Sequence, residues 1–395
     1  MKWLVEHKFG VWGFLVAGAF IPTIMSAAVV GRWAVIAMGV PLAAPLRLKV
    51  PPFIQMAIAM GLAWAAASLF VTPDPMDGAL QFFFMVVLVG AMGAASQVES
   101  LDDLMGGLCW GLALSSAFCL IAVSGHRLVA ESGMDTGYAG LFYNREVLAE
   151  FAAPLLVWTV VKKRWFLAAA AAVPLVVNLS RISVASVIIA LTVAYWPRSP
   201  RARAAVVILA VALVGAAVAY YSGQSGKVGT ALLRLAIWLQ AAMSITPLGN
   251  GLGWYRVVTA PFEFAHSDVL QAFAELGIGA LCFAVIPIYA LRNRGDHAER
   301  AAFIVICIEL VVSFPLHVPG AAFLAAVLAG FLVRDRAAVR RVQLDGGIQA
   351  GENSERFSEV WSADSGRGGR GDFLFPVRRS VETVSGLDQA RGCVS

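Results

Sequence analysis

The chain has 395 residues, of which 59% are hydrophobic and only 14% charged, with a mean hydropathy of +0.76. A soluble domain carries about 25% charged residues, so an ordinary water-soluble enzyme is excluded and the question becomes how often the chain crosses a bilayer. The formal net charge of +5 points in such a chain to cytoplasmic connections, not to nucleic-acid binding.

In chain order, apolar runs fall at 9–29, 31–46, 53–72, 80–96, 104–124, 147–161, 165–180, 182–196, 204–221, 268–291, 301–316 and 320–334. They predict an all-α polytopic membrane protein with about 12 transmembrane helices. Lys2 and Lys8 precede the first run, which is long and followed by more, so it reads as a span and not as a cleaved leader. With the N-terminus inside, the inner connections hold seventeen Lys and Arg residues and the outer ones seven, Arg32 among them. That bias puts both termini in the cytoplasm. The transmembrane domain is expected over 1–334. Residues 335–395 are Gly-rich and charge-balanced and read as a disordered cytoplasmic tail.

Two outer segments exceed a tight turn: 125–146 and 222–267. Within the second, "VGTALLRLAIWLQAAMSI" (228–245) predicts a short helix on the membrane surface, and "GNGLG" (249–253) a turn. Asp102 and Asp103 are expected in a solvated inner loop. The cysteines at 109, 119, 282, 307 and 393 show no Cys-x-x-Cys spacing, so neither a zinc site nor a disulfide framework is indicated.

Chemistry is concentrated in "FAHSDVLQAFAELG" (264–277). Asp268, Gln271 and Glu275 share one face of a helix, within roughly 60° of one another. Asp268 has the position of a helix cap, with Gln271 at capping-box spacing. Glu275, two turns into an apolar helix, requires a partner or a polar cavity. His266 stands just before the helix. Arg181 opens the span of "NLSRISVASVIIAL", on the side otherwise poor in arginine, and Arg234 lies in the surface helix one turn before Trp238. Arginine grips phosphate by planar, two-point hydrogen bonding. Asn144, Arg145, Glu146 and Glu150 start another span at the outer face, a pattern that also suits ordinary capping.

Four ordered pieces, "LFYNREVLAEFAAPLL" (141–156), "NLSRISVASVIIAL" (178–191), "LLRLAIWLQAAMSITPLGNGLGWY" (232–255) and "AHSDVLQAFAELGIGAL" (265–281), together resemble the O-antigen ligase and O-antigen polymerase superfamily. The outer loop is short for that family, and Val269 stands where an aromatic residue is common. The resemblance implies a GT-C-type glycosyltransferase bundle in the bacterial inner membrane. It implies transfer of a glycan from an undecaprenyl-pyrophosphate carrier to a glycan, lipid or protein acceptor at the periplasmic face. Such a donor is already activated, and arginines can meet the leaving charge in place of a metal ion, so no cofactor and no metal are expected. Family functional residues carry over to Arg181, Arg234 and His266, with Asp268, Gln271, Glu275 and Asn144 as further substrate-binding candidates. Ligase and polymerase both fit. A transporter is the rival of another class, with Glu309 near mid-span as its best support, and a membrane sensor is a third possibility.

Overall fold

The computed structural model describes residues 7–18, 25–43, 48–124, 140–142, 144–178, 180–196, 199, 201, 225–258, 265–292 and 296–335. The expected span 204–221 and the tail 336–395 lie outside the described residues. Among the described residues every regular element is a helix: α1 (Lys8–Gly18), α2 (Met25–Ala43), α3 (Pro52–Ser68), α4 (Pro75–Ala95), α5 (Asp102–Val123), α6 (Arg145–Val161) and α7 (Trp165–Asn178). There follow α8 (Arg181–Ala194), α9 (Ser225–Met243), α10 (Trp254–Val258), α11 (Asp268–Leu276), α12 (Ala280–Arg292), α13 (His297–Val312) and α14 (Pro319–Val333). Helices suit such a chain because they satisfy their backbone internally. Three segments are long and apolar enough to cross a membrane: α4, α5, and Asp268–Arg292 across α11 and α12. Shorter apolar helices include α1, α3, α7, α8 and α14.

The core is built around α14, in which every residue except Ala326 is buried. It packs against α2, α4, α6, α12 and α13, and Phe323 meets Trp12 edge-on with ring centroids 4.7 Å apart. Among the described residues α1 packs most extensively against α5. A Cβ at Gly107 would lie 1.9 Å from the Gly10 carbonyl oxygen, so this approach requires glycine.

The connections gather at two ends of the bundle. At one, Lys162 pairs with Asp102 at 3.1 Å and with Glu299 at 3.3 Å, and Arg334 pairs with Asp296 at 3.3 Å. Asp335 N–H donates to the Lys49 carbonyl at 2.8 Å. Asp102 and Asp103 are solvated as expected but open α5 in place of a loop, and each faces a basic partner, Asp103 through His7 at 3.5 Å. At the other end Arg256 pairs with Asp77 at 3.0 Å, and Thr72 Oγ1 donates to the Leu252 carbonyl at 2.5 Å.

Two boundaries also depart from expectation. Arg32 falls inside α2 and not in a turn. It is buried, its Nη2 donates to the Leu141 carbonyl at 2.5 Å, and its guanidinium lies 4.2 Å from the Phe142 ring centroid. Stacking on an aromatic ring and a carbonyl partner are what let an arginine sit in such surroundings. The run 268–291 is not one continuous helix. Gly277 takes φ +55°, and a 3₁₀ turn at Gly277–Gly279 separates α11 from α12.

The expected "GNGLG" turn docks onto this break. Gly251 N–H donates to the Glu275 carbonyl at 2.9 Å, Asn250 N–H to the Ala274 carbonyl at 3.1 Å, and Ile278 N–H to the Pro247 carbonyl at 3.0 Å. The turn thereby satisfies carbonyls that the broken helix leaves over.

Candidate functional site

The site is built at the end of the bundle where α11 begins. The helix cap is Ser267, whose hydroxyl accepts from Leu270 N–H at 3.3 Å. Asp268 was the expected cap and is displaced from that role by one position, because its carboxylate has stronger partners outside the helix. One oxygen accepts from Leu316 N–H at 2.7 Å and the other lies 2.7 Å from His317 Nδ1. Its own backbone N–H donates to the Ser313 carbonyl at 3.0 Å.

Gln271 accepts from Ala265 N–H at 3.2 Å and donates to Glu275 Oε1 at 3.1 Å. Glu275 also accepts from Tyr255 N–H at 3.4 Å. The polar stripe of α11 is thus buried and faces the 313–318 connection and the backbone of α10. These three side chains hold parts of the protein together. That answers the requirement for a Glu275 partner, and packed protein groups, not an open cavity, supply it.

His266 takes φ +52°, a left-handed backbone that is uncommon for a side chain with Cβ, though histidine is among the more frequent exceptions. Its carbonyl accepts from Trp238 Nε1 at 3.0 Å, and its ring meets Phe314 edge-on at 5.2 Å between centroids. Its Nδ1 is buried with no partner among the described residues. Burial, with the Arg234 charge second, holds the ring below the ordinary histidine range, and the Glu146 charge opposes them. A ring held on the neutral side can accept a proton where a donor comes within hydrogen-bond reach.

Arg234 and Trp238 stand one turn apart on α9, whose Ile237 and Ala241 are buried against Tyr255 and Ala265. The opposite face exposes Leu232, Leu235, Leu239 and Met243, as a helix at an apolar surface would. Arg234 and Trp238 border a cavity of about 330 Å³ that is otherwise lined by Ile182, Ala185 and Ser186 of α8 and Ile308 and Val312 of α13. The cavity is apolar apart from Arg234, Trp238 and Ser186.

Trp238 links Arg234 to His266, since it borders the same cavity as Arg234 and donates to the His266 carbonyl, but neither His266 nor Arg181 lines that cavity. The structure places Arg181, which is exposed, at the first position of α8, next to Ile182 of the cavity wall. Asn144 caps α6, its side chain accepting from Glu146 N–H at 2.7 Å. Six residues on, Glu150 is buried and accepts from the Ser313 hydroxyl. Glu309 is fully buried on α13.

His317 is the residue that local reading passes over. It lies in "FPLHVPG" (314–320), a short turn bracketed by prolines between two apolar runs. An ionisable side chain in such a turn is a signal, but its partner Asp268 is 49 positions away.

What the fold defines is a helical bundle with membrane-spanning character. No protein-family model matches the chain, and no curated protein matches it.

Proposed function

We propose that the chain is a multi-pass membrane glycosyltransferase of the bacterial inner membrane, O-antigen ligase-like. In this reading it has about twelve spans in a GT-C-type bundle, both termini cytoplasmic, and the His266 end at the periplasmic face. It moves a glycan from an undecaprenyl-pyrophosphate carrier to an acceptor hydroxyl. The observation that carries the reading is Arg234 at an apolar cavity between α8, α9 and α13, one indole away from a neutral-held His266. An apolar trough with a guanidinium beside it suits a polyprenyl chain with an anionic head.

In the reaction, His266 accepts the proton of the acceptor hydroxyl while that oxygen bonds to the anomeric carbon of the donor sugar. The bond from that carbon to the pyrophosphate oxygen breaks, and its electron pair leaves with the pyrophosphate. Arg234, and Arg181 at the head of α8, meet the growing negative charge. Ligation to a lipid or protein and polymerisation of repeat units share this step and differ only in the acceptor.

A transporter is the second reading. It is favoured by Glu150 and Glu309, buried carboxyls on neighbouring helices, which in membranes mark ion or proton pathways. The two readings separate in vesicles holding the purified protein and an undecaprenyl-pyrophosphate-linked glycan. The glycosyltransferase forms glycosylated acceptor and free undecaprenyl pyrophosphate. Movement of the donor across the bilayer with its sugar–phosphate bond intact would overturn the reading in favour of transport.

A further inference from the structure

The roles of the groups between Ala265 and Asp268 follow from one group that has no choice. The backbone N–H of Ala265 can only donate, and it lies 3.2 Å from the Gln271 side-chain oxygen. That fixes the amide orientation and turns its nitrogen the other way. The nitrogen is 3.1 Å from Glu275 Oε1 and 3.2 Å from His317 Nε2. Its two hydrogens serve both. His317 Nε2 therefore accepts, the ring proton sits on Nδ1, and Nδ1–H donates to Asp268 at 2.7 Å. Along this path each donor meets an acceptor only while His317 is neutral.

We propose that His317 is a positioning residue for His266: as a neutral ring it orients Gln271, Gln271 anchors Ala265, and Ala265 keeps His266 in its left-handed conformation between Trp238 and Phe314. The inference rests on His266 being the base of the proposed transfer. Protonating His317 sets an Nε2–H against the Gln271 NH₂. The amide then turns over, which leaves Ala265 N–H facing a donor and Glu275 facing an oxygen. The backbone that carries His266 loses its anchor.

The surrounding charges separate the two titrations. Burial works against a charged His317, but the hydrogen bond and charge of Asp268 outweigh it. Glu275, also on α11, and Asp77 on α4 add to them and hold the ring above the ordinary range. His266 is held below that range by burial and Arg234 on α9, with Glu146 on α6 opposing. As pH falls, His317 gains its proton first. The acid limb of the transfer rate therefore follows His317, while His266 is still able to act.

The test is the pH profile of kcat for the full-length protein in lipid nanodiscs with an undecaprenyl-pyrophosphate-linked glycan. The wild-type acid limb is expected above the ordinary histidine value of about 6.5. His317→Gln stays neutral at every pH and moves the limb below that value. Its plateau kcat falls by roughly ten-fold or more, since a misplacement of about 1 Å can cost about 10²-fold, and KM for the donor is unchanged. A limb that stays in place in His317→Gln overturns the proposal, as does a uniform loss with no shift.

Asp268→Asn offers a second variant, because an amide at that position lowers the His317 titration by removing the charge. Its acid limb is expected to move down as well, and an unmoved limb counts against the proposal. Nitrogen-15 spectra of histidine-labelled protein without donor decide the matter even if no transfer occurs. The resonance lost in His317→Gln is expected to report a proton on Nδ1, and a proton on Nε2 contradicts the proposal.

Discussion

His266 has its backbone in a region that side chains seldom adopt, and single residues held there cost of order 1 kcal/mol or more. Such a conformation persists when its surroundings over-determine it. Here the anchors are Trp238 on the carbonyl, Gln271 on the preceding N–H and Ser313 on the Asp268 N–H. Trp238→Phe keeps an aromatic side chain, though a smaller one, and deletes the Nε1–H donor. It is expected to lower stability by about 1 kcal/mol and to slow transfer, with KM for the donor little changed. Thermal unfolding in detergent and steady-state kinetics check this; an unaltered kcat would show that the indole N–H does not position His266. At this scale the sequence announces the actors better than their roles. The spacing of Asp268, Gln271 and Glu275 marks one helix face, because helical periodicity is local. What that face touches is not local: Leu316 and His317 are 48 and 49 positions from Asp268. Capping is decided by the same competition. Ser267 caps α11 because the 313–318 connection claims the Asp268 carboxylate.

At the scale of elements, the break between α11 and α12 and the glycine-rich turn form one unit. Gly249 takes φ +79°, and a Cβ there would lie 2.3 Å from the Glu275 carbonyl oxygen. Gly249→Ala therefore combines a left-handed backbone, costing about 1–2 kcal/mol, with a clash against main chain that cannot move aside. The variant is expected to unfold at markedly lower temperature than wild type, and an unchanged midpoint would show that the turn is not docked as described. The turn is legible because glycine at alternate positions is strong punctuation. The helix break is not, since 268–291 reads as one apolar run and only the docked turn makes the interruption tolerable. Arg32 illustrates the same limit: a charge in an apolar run reads as a connection until the stack on Phe142 is visible.

At the scale of the molecule, basic residues assigned by sequence to the inner side (Lys49, Lys162, Arg164 and Arg334) gather with their acidic partners at one end of the bundle. The candidate site lies at the other end. In the proposed orientation this basic end is the cytoplasmic one. A cysteine placed at Ser225 is expected to react with an impermeant thiol reagent added from outside intact cells, and one at Ser199 is not. The reverse pattern would contradict the topology and with it the periplasmic site. The general helical class was legible because composition alone dictates it. The cavity was not, because it arises where three helices distant in the chain meet.

In the proposed reaction Arg234 and His266 carry glycan transfer from a lipid pyrophosphate. That assignment is tested most directly by single-turnover transfer with purified wild-type protein, Arg234→Ala, Arg234→Lys and His266→Ala, each confirmed as inserted and folded. Removing one preorganised charge stabiliser typically costs about 10²–10³ in rate. Losses of that order are expected in Arg234→Ala, with a comparably strong loss in His266→Ala and only partial recovery in Arg234→Lys, which keeps the charge and loses the two-point grip. Near-wild-type turnover in Arg234→Ala and His266→Ala would contradict the assignment.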